Sequence, residues 1–85
     1  MREEITDWLE AIDAGAMFAD GFDAAIIGIT EVDKGYRVCY DIGRILELLV
    51  LEHDMDEEGA IEHFDFNIAG AYMGPLTPIF IQCVP

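Results

Sequence analysis

The side chains that could do chemistry in this chain are mainly carboxylates, because 18 of its 85 residues are Asp or Glu. General acid–base catalysis requires two carboxyl groups held in one cleft with shifted pKa values. Asp20 and Asp23 offer one such pair, and turn formation accounts for both. Asp54 and Asp56 offer another, which turn formation and helix capping explain. No nucleophile or oxyanion-binding signature accompanies these pairs. We therefore predict that the chain is not an enzyme.

The two histidines are the next candidates. His53 and His63, with Asp54 and Asp65 nearby, offer two imidazoles and two carboxylates for a metal ion. However, the histidines belong to different predicted helices, and their spacing matches no metal motif. The segment Asp54–Glu58 also lacks the spaced oxygen ligands and the glycine of a calcium loop. We predict no metal site, and without a glycine-rich phosphate loop we predict no cofactor.

Charge is the strongest signal in the sequence. The formal net charge is -14, yet 53% of the residues are hydrophobic. Disorder requires low hydrophobicity as well as high charge, so the acidic residues are expected on a folded surface. Such a surface repels nucleic acid and anionic membranes and attracts basic protein surfaces. Solubility alone needs a net charge of only about 2 to 8 in a small domain.

The acidic residues form two groups along the chain. We predict that both bind a partner; they comprise Glu3, Asp7 and Glu10 on the first predicted helix, and Glu52, Asp54, Asp56, Glu57, Glu58, Glu62 and Asp65 around a later helical junction. Duplex DNA carries one charge about every 1.7 Å of its axis, so a rigid array of carboxylates can occupy a phosphate-binding groove. The alternative is that these groups form an ordinary solvated face.

Asn67 and Tyr72 are secondary contact candidates. Asn67 lies between Phe66 and Ile68 on a mostly apolar predicted helix, where its amide must find hydrogen-bond partners. One interpretation is a hydrogen bond to a nearby loop backbone. The other is a contact surface that Asn67 shares with Tyr72 and Met73.

Helical periodicity indicates three helices. Ile5, Trp8, Leu9 and Ile12 give an apolar stripe within Arg2–Ala14. A second helix is predicted over Ile42–His53 with Asp41 as its N-cap, and a third begins after the N-cap Asp56 and ends near residues 70–74.

Strand patterns occupy the intervening segments. Residues 24–32 and Tyr36–Tyr40 predict a hairpin with a three-residue loop closed by Gly35. Gly28 indicates either a bulge or the close approach of a helix. Thr77–Val84 predicts a last strand, in which Pro78 is tolerated only at the strand end or at a sheet edge. The result is one α+β domain over residues 1–85, in the order α-β-β-α-α-β, with a three-stranded sheet and helices on one face.

Cysteine use and hydropathy bear on the compartment. Cys39 and Cys83 have neither CxxC spacing nor the density of a disulfide scaffold, and both fall in predicted strands, so we expect buried free thiols. The acidic start Met1–Glu4 has no features of a signal peptide, and Ile45–Leu51 is too short to span a bilayer. We expect the protein in a reducing cytoplasm.

Residues 20–81 resemble a group of small, acidic, mostly uncharacterised bacteriophage proteins. The segment FDFNIAGAYMGPLTPIF at residues 64–80 carries most of this resemblance. The resemblance implies a phage origin and supplies no activity or functional residue. Small acidic phage proteins are often inhibitors of a host or defence nucleoprotein, as anti-CRISPR and anti-restriction proteins are.

Two hypotheses follow. In the first, the chain is a phage inhibitor that mimics nucleic acid and binds a basic protein surface, without binding nucleic acid or membrane itself. In the second, it is a protein–protein interaction module or homo-oligomer that uses an exposed strand edge or the apolar helix Ile42–Leu51.

Overall fold

A computed structural model describes residues 1–84, which form an α+β fold. The helices and strands follow in the order α1 (Arg2–Ala11), β1 (Ile26–Val32), β2 (Gly35–Asp41), α2 (Ile42–Glu52), α3 (Glu57–His63) and β3 (Ile79–Ile81). A short 3-10 turn over Asp23–Ala25 precedes β1, and a π-helical segment over Phe64–Ala69 continues α3. The predicted fold class and element order are confirmed.

The sheet is mixed, with β2 at its centre. β1 pairs antiparallel with β2, and β3 pairs parallel with β2 on the other side. A register shift between Ile26 and Gly28 confirms the predicted bulge. The register places Val38 and Tyr40 of β2 on one face, because side chains alternate along a strand.

The hairpin loop differs from the prediction. Val32 pairs with Gly35, so the loop contains only Asp33 and Lys34. Both have positive φ, 50° and 69°. This is the geometry of a two-residue loop whose twist matches that of the strands. The predicted three-residue loop closed by Gly35 was wrong, since the left-handed residues are Asp33 and Lys34.

The last strand is shorter than predicted. Only Ile79–Ile81 pairs with β2, and Ile81 lies opposite Asp41. Two causes set these limits: Pro78 has no N–H to donate, and β2 ends at Asp41, where α2 begins. Cys83 therefore lies beyond the strand and is exposed, while Cys39 is buried. The prediction of a buried thiol was correct for Cys39 and wrong for Cys83.

The first helix ends three residues before its predicted boundary. Asp13 adopts a left-handed conformation, with φ of 54°. The N–H of Ala14 then donates to the Leu9 carbonyl at 2.8 Å, and the N–H of Asp13 donates to Glu10 at 3.1 Å. These bonds form a Schellman motif, which satisfies the last carbonyls and stops the helix at Ala11.

A single hydrophobic core joins the helices to the sheet. Its largest fully buried side chains are Val38 and Tyr40 from β2, and Ile45 and Leu49 from α2. Other core members come from α1, α3 and the π-helical segment: Ile5, Leu9, Ala60 and Phe64. The helices thus cover the face of the sheet that carries Val38 and Tyr40.

Tyr40 also ties a loop to this core. Its side chain is fully buried, and its hydroxyl accepts a hydrogen bond of 2.7 Å from the N–H of Ala19. Burial raises the pKa of Tyr40 above its usual value. The connection between α1 and β1 is therefore fixed against the central strand.

Candidate functional site

The first acidic group lies along one side of α1. Glu3, Asp7 and Glu10 follow one another at intervals of four and three residues, so they share a helix face, and all are exposed. The buried residues Ile5 and Leu9 hold the other side of α1 in the core. The predicted exposure of this group is confirmed.

The second acidic group surrounds the junction between α2 and α3. We call this group the junction surface; it comprises Glu52, Asp54, Asp56, Glu57, Glu58, Glu62 and Asp65, all exposed. Glu52 ends α2, and Asp54 follows in a left-handed conformation with φ of 53°. The chain turns at this connection, so that α3 packs against α2. The fold therefore gathers the junction surface around one helical corner.

Asp56 has a structural role as well as a charge. Its Oδ1 accepts a hydrogen bond of 2.7 Å from the N–H of Gly59, which confirms the predicted N-cap of α3. Glu57 and Glu58 occupy the first turn, where the helix dipole stabilises negative charge. Part of the acidity at this corner thus stabilises α3.

The basic residues are mostly engaged away from the junction surface. Arg2 contacts Asp20 and Asp23 at 3.3 and 3.1 Å and lies over the Phe18 ring. Arg44 pairs with Glu47 at 2.8 Å. Within residues 1–84, no side chain of the junction surface forms an ion pair. Its negative charge is therefore not neutralised by the fold.

Arg37 is also engaged, on the central strand. Its Nε donates a hydrogen bond to the carbonyl oxygen of Thr77. Thr77 itself is buried, and its hydroxyl accepts from the N–H of Met73 and donates to the carbonyl of Gly74. These bonds fix the segment that leads into β3.

The histidines lie at helix ends. His53 follows the last residue of α2 and is exposed, while His63 ends α3. Across the described part of the chain, no three His, Cys, Asp or Glu side chains are grouped so that they could hold a metal ion.

Asn67 and Tyr72 are both exposed, as a contact surface requires. The amide nitrogen of Asn67 lies 3.3 Å from Nδ1 of His63. One interpretation from the sequence was a hydrogen bond from Asn67 to a loop backbone. The structure instead shows the Asn67 amide in contact with the His63 ring. Phe66 and Met73 are exposed beside them, with 81% and 51% of their surface accessible.

The thiols are poorly disposed for nucleophilic chemistry. Burial raises the pKa of Cys39. Desolvation, followed by the neighbouring Asp41 carboxylate, raises the pKa of Cys83. Because the thiolate is the reactive form, both shifts lower the reactivity of these cysteines at neutral pH.

An apolar groove borders the junction surface, and sequence reasoning did not identify it. The groove lies between α2 and α3, has a volume of about 370 Å³, and is lined by Gly43, Leu46, Glu47, Val50, Leu51, Glu57, Ala60 and Ile61. Leu51 and Ile61 are 72% and 49% exposed. The sequence did contain one indication of the groove. The apolar residues of the predicted second helix cover more of its circumference than packing one face against the core requires.

These features define a small α+β protein with an exposed, unneutralised acidic corner beside an apolar groove. No protein-family model, curated protein or solved structure matches the chain. None of the helices within residues 1–84 is long and apolar enough to cross a membrane.

Proposed function

We propose that the chain is a phage-encoded, non-enzymatic inhibitor that acts in the host cytoplasm. It binds the basic, nucleic-acid-binding surface of a bacterial defence or nucleic-acid-processing protein, in the manner of an anti-CRISPR or anti-restriction protein. The observation that supports this proposal most is the junction surface, whose exposed carboxylates have no ion-pair partner within residues 1–84.

The size and charge of the molecule suit nucleic-acid mimicry. The longest dimension is 41 Å. A DNA duplex of that length carries about 24 phosphate charges, at one per 1.7 Å of axis. The net charge of -14 is more than half of that number on a body of similar length. A groove that binds phosphates would therefore attract this protein strongly.

The rigidity of the helical corner supports the same mechanism. The helical backbone that carries these charges does not need to be ordered when the partner binds, so less conformational entropy is lost than with a flexible acidic segment. The Asp56 cap fixes the start of α3, which carries Glu57, Glu58 and Glu62. Association is expected to be fast and to weaken as salt screens the charges.

The first experiment is affinity capture of the tagged protein from bacterial lysate, with and without nuclease treatment, followed by elution with salt. The proposal predicts a nucleic-acid-binding protein that is retained after nuclease treatment and released by moderate salt. A partner without a basic groove, or recovery of only further copies of the chain, would contradict it.

Matched charge variants then identify which acidic group binds. The test variant carries Glu57→Gln, Glu58→Gln and Glu62→Gln, and the control carries Glu3→Gln, Asp7→Asn and Glu10→Gln. Each removes the same charge from exposed helical positions. We expect the test variant to lose more affinity for the captured partner than the control. If both variants bind like the unmodified protein, carboxylate mimicry is wrong.

A second candidate function is a protein–protein interaction module or homo-oligomer that does not mimic nucleic acid. The exposed apolar side chains of Leu51, Phe66 and Tyr72 favour this alternative. Sedimentation velocity at micromolar concentration tests the oligomer. A concentration-dependent dimer would support it, and a strict monomer would exclude it.

A further inference from the structure

We infer that the groove between α2 and α3 is an anchoring site for a basic amphipathic helix of the partner protein. This inference rests on the proposed function and adds to it the kind of segment that is bound. Carboxylates alone attract positive charge, whereas the groove selects partners that also present apolar side chains.

The dimensions of the groove fit a short helical segment. α2 spans Ile42–Glu52 and α3 spans Glu57–His63. At 1.5 Å per residue, these helices are roughly 16 and 10 Å long, which corresponds to about two to three turns of a third helix laid beside them. The volume of about 370 Å³ accommodates a few apolar side chains at the spacing of one helix face.

The charge around the groove selects a basic occupant. Its lining contains two carboxylates and no Lys or Arg: Glu57 forms no ion pair within residues 1–84, whereas Glu47 pairs with Arg44 outside the lining. Glu52, Asp54 and Glu58 lie near the same corner, where α2 ends and α3 begins. An anionic ligand such as a fatty acid would meet repulsion here, whereas Lys or Arg residues flanking an apolar stripe would meet opposite charge.

A second copy of this chain is a poor occupant. A symmetric dimer places the same surface patch of each subunit against the other. Here it would bring together Glu57 of both copies, which has no ion-pair partner within residues 1–84, in a protein whose net charge is already -14. Like charges placed together at an interface are strongly unfavourable. The acidic border therefore favours a basic partner over self-association.

The test uses two synthetic peptides with identical composition. The probe is an amphipathic helix of about 15 residues made of Leu and Lys, with Leu at helical i, i+3, i+4 and i+7 spacing. The control peptide has the same residues in an order without an apolar face. Binding to the full chain is measured by fluorescence anisotropy, and the contact surface by NMR chemical-shift changes. We expect the probe to bind at least about tenfold more tightly than the control peptide, with shifts centred on Leu46, Val50 and Ile61.

Two matched variants of the protein locate the binding site. Ile61→Gln alters the groove, and Ile12→Gln alters a similarly exposed isoleucine outside it; the two side chains are 49% and 44% exposed. Because both are half-exposed, neither change should unfold the protein, which a thermal melt verifies. Ile61→Gln should weaken binding of the probe roughly tenfold, and Ile12→Gln should leave it unchanged. Leu51→Gln, at a more exposed groove position, provides a second variant with the same expected direction.

The outcomes separate the groove from the acidic surface. If both peptides bind equally and Ile61→Gln has no effect, the groove is not an anchoring site, while electrostatic attraction and the proposed function stand. If Ile61→Gln and Ile12→Gln weaken binding of the probe equally, the groove is likewise not the anchoring site. If neither peptide binds at low salt, the acidic surface does not attract basic segments, and the proposed function fails together with the inference.

Discussion

Asp56 combines a structural hydrogen bond with a charge on the proposed binding surface, and substitutions can separate the two. Asp56→Ala removes both the cap of α3 and the charge. Asp56→Asn removes the charge and keeps an acceptor for the N–H of Gly59, which now lies 2.7 Å from Oδ1. The difference in stability between the two variants therefore measures the cap, and the affinity that both lose relative to the unmodified protein measures the charge.

The expected magnitudes follow from the position of the bond. Loss of an Asp N-cap costs about 0.5 to 2 kcal/mol, and typically about 1 kcal/mol. The bond is solvent-exposed, so we expect about 1 kcal/mol for Asp56→Ala. In a domain of this size, that lowers Tm by roughly 4 to 8 °C. Asn is as good a cap as Asp, so Asp56→Asn should stay within about 0.5 kcal/mol of the unmodified protein.

Gly59 provides an internal check on the same bond. A Cβ added at Gly59 would lie 2.8 Å from Oδ1 of Asp56, which would displace the capping carboxylate. Gly59→Ala should therefore fail to deliver the usual gain of about 1 kcal/mol for Ala over Gly within a helix. In the Asp56→Ala background there is no cap to displace, and Gly59→Ala should be stabilising. The two changes should be non-additive in a double-mutant cycle.

Urea unfolding of the four proteins in this cycle measures these differences, with midpoints converted through a common m-value. Binding to the captured partner is measured in parallel for the two single Asp56 variants. We expect them to lose the same affinity, since they lose the same charge. Equal destabilisation by Asp56→Asn and Asp56→Ala, or additive behaviour with Gly59→Ala, would refute the assigned cap.

Four further predictions concern the fold. Tyr40→Phe should lower Tm by roughly 4 to 16 °C, because the N–H of Ala19 loses its acceptor at a cost of about 1 to 2 kcal/mol. Tyr72→Phe, at an exposed site, should have no effect. Because the pKa of Tyr40 is raised in the folded protein, its hydroxyl loses a proton at lower pH in the unfolded chain than in the folded one. The contribution of Tyr40 to stability is therefore fully present below about pH 10 and falls as the pH rises beyond it. Urea midpoints should decrease over this pH range, and Tyr40→Phe should make the decrease smaller. Lys34→Gly should raise the free energy of unfolding by about 1 kcal/mol, because φ at this turn position is 69°, where glycine is favoured. The urea midpoint should rise accordingly, and an unchanged or lower midpoint would argue against the two-residue loop. In the native protein a thiol reagent should modify the exposed Cys83 well before the buried Cys39, which should react only on unfolding. Mass spectrometry of time points measures both, and equal rates would contradict the assigned burial.

The sequence was sufficient to predict the fold class because its local signals agree with one another. The apolar positions Ile5 and Leu9 of the first helix are buried, and the caps Asp41 and Asp56 begin α2 and α3 as predicted. Trp8 was predicted on the same stripe but remains 46% exposed, since it lies at the edge of the core and packs edge-on against Tyr36. Periodicity identifies a helix face but cannot say how much of it the neighbouring elements cover.

The ends of the elements depended on pairing partners that local patterns do not reveal. Strand-forming residues continue after Pro78 as far as Val84, yet pairing stops at Ile81, where β2 ends. The hairpin loop was misjudged because Gly35 suggested a left-handed position, whereas strand twist placed that conformation at Asp33 and Lys34.

The candidate site was predictable in part. Exposure of the carboxylates followed from helical periodicity and from the cost of burying charge. Their division between α1 and the junction surface followed from the order of the elements. The groove could not be predicted from the order of the elements, because it exists only where Leu46 and Val50 of α2 meet Ile61 of α3. The angle between packed helices is set by tertiary contacts.

The most direct test of nucleic-acid mimicry is competition for the captured partner. Labelled nucleic acid is bound to the partner and displaced by increasing amounts of this protein, at about 50 mM and 200 mM salt. We predict complete, competitive displacement, with an inhibition constant that is weaker at the higher salt once it is corrected for the affinity of the labelled nucleic acid at each salt concentration. A ternary complex in which nucleic acid stays bound, or a corrected inhibition constant that is the same at both salt concentrations, would contradict the mechanism.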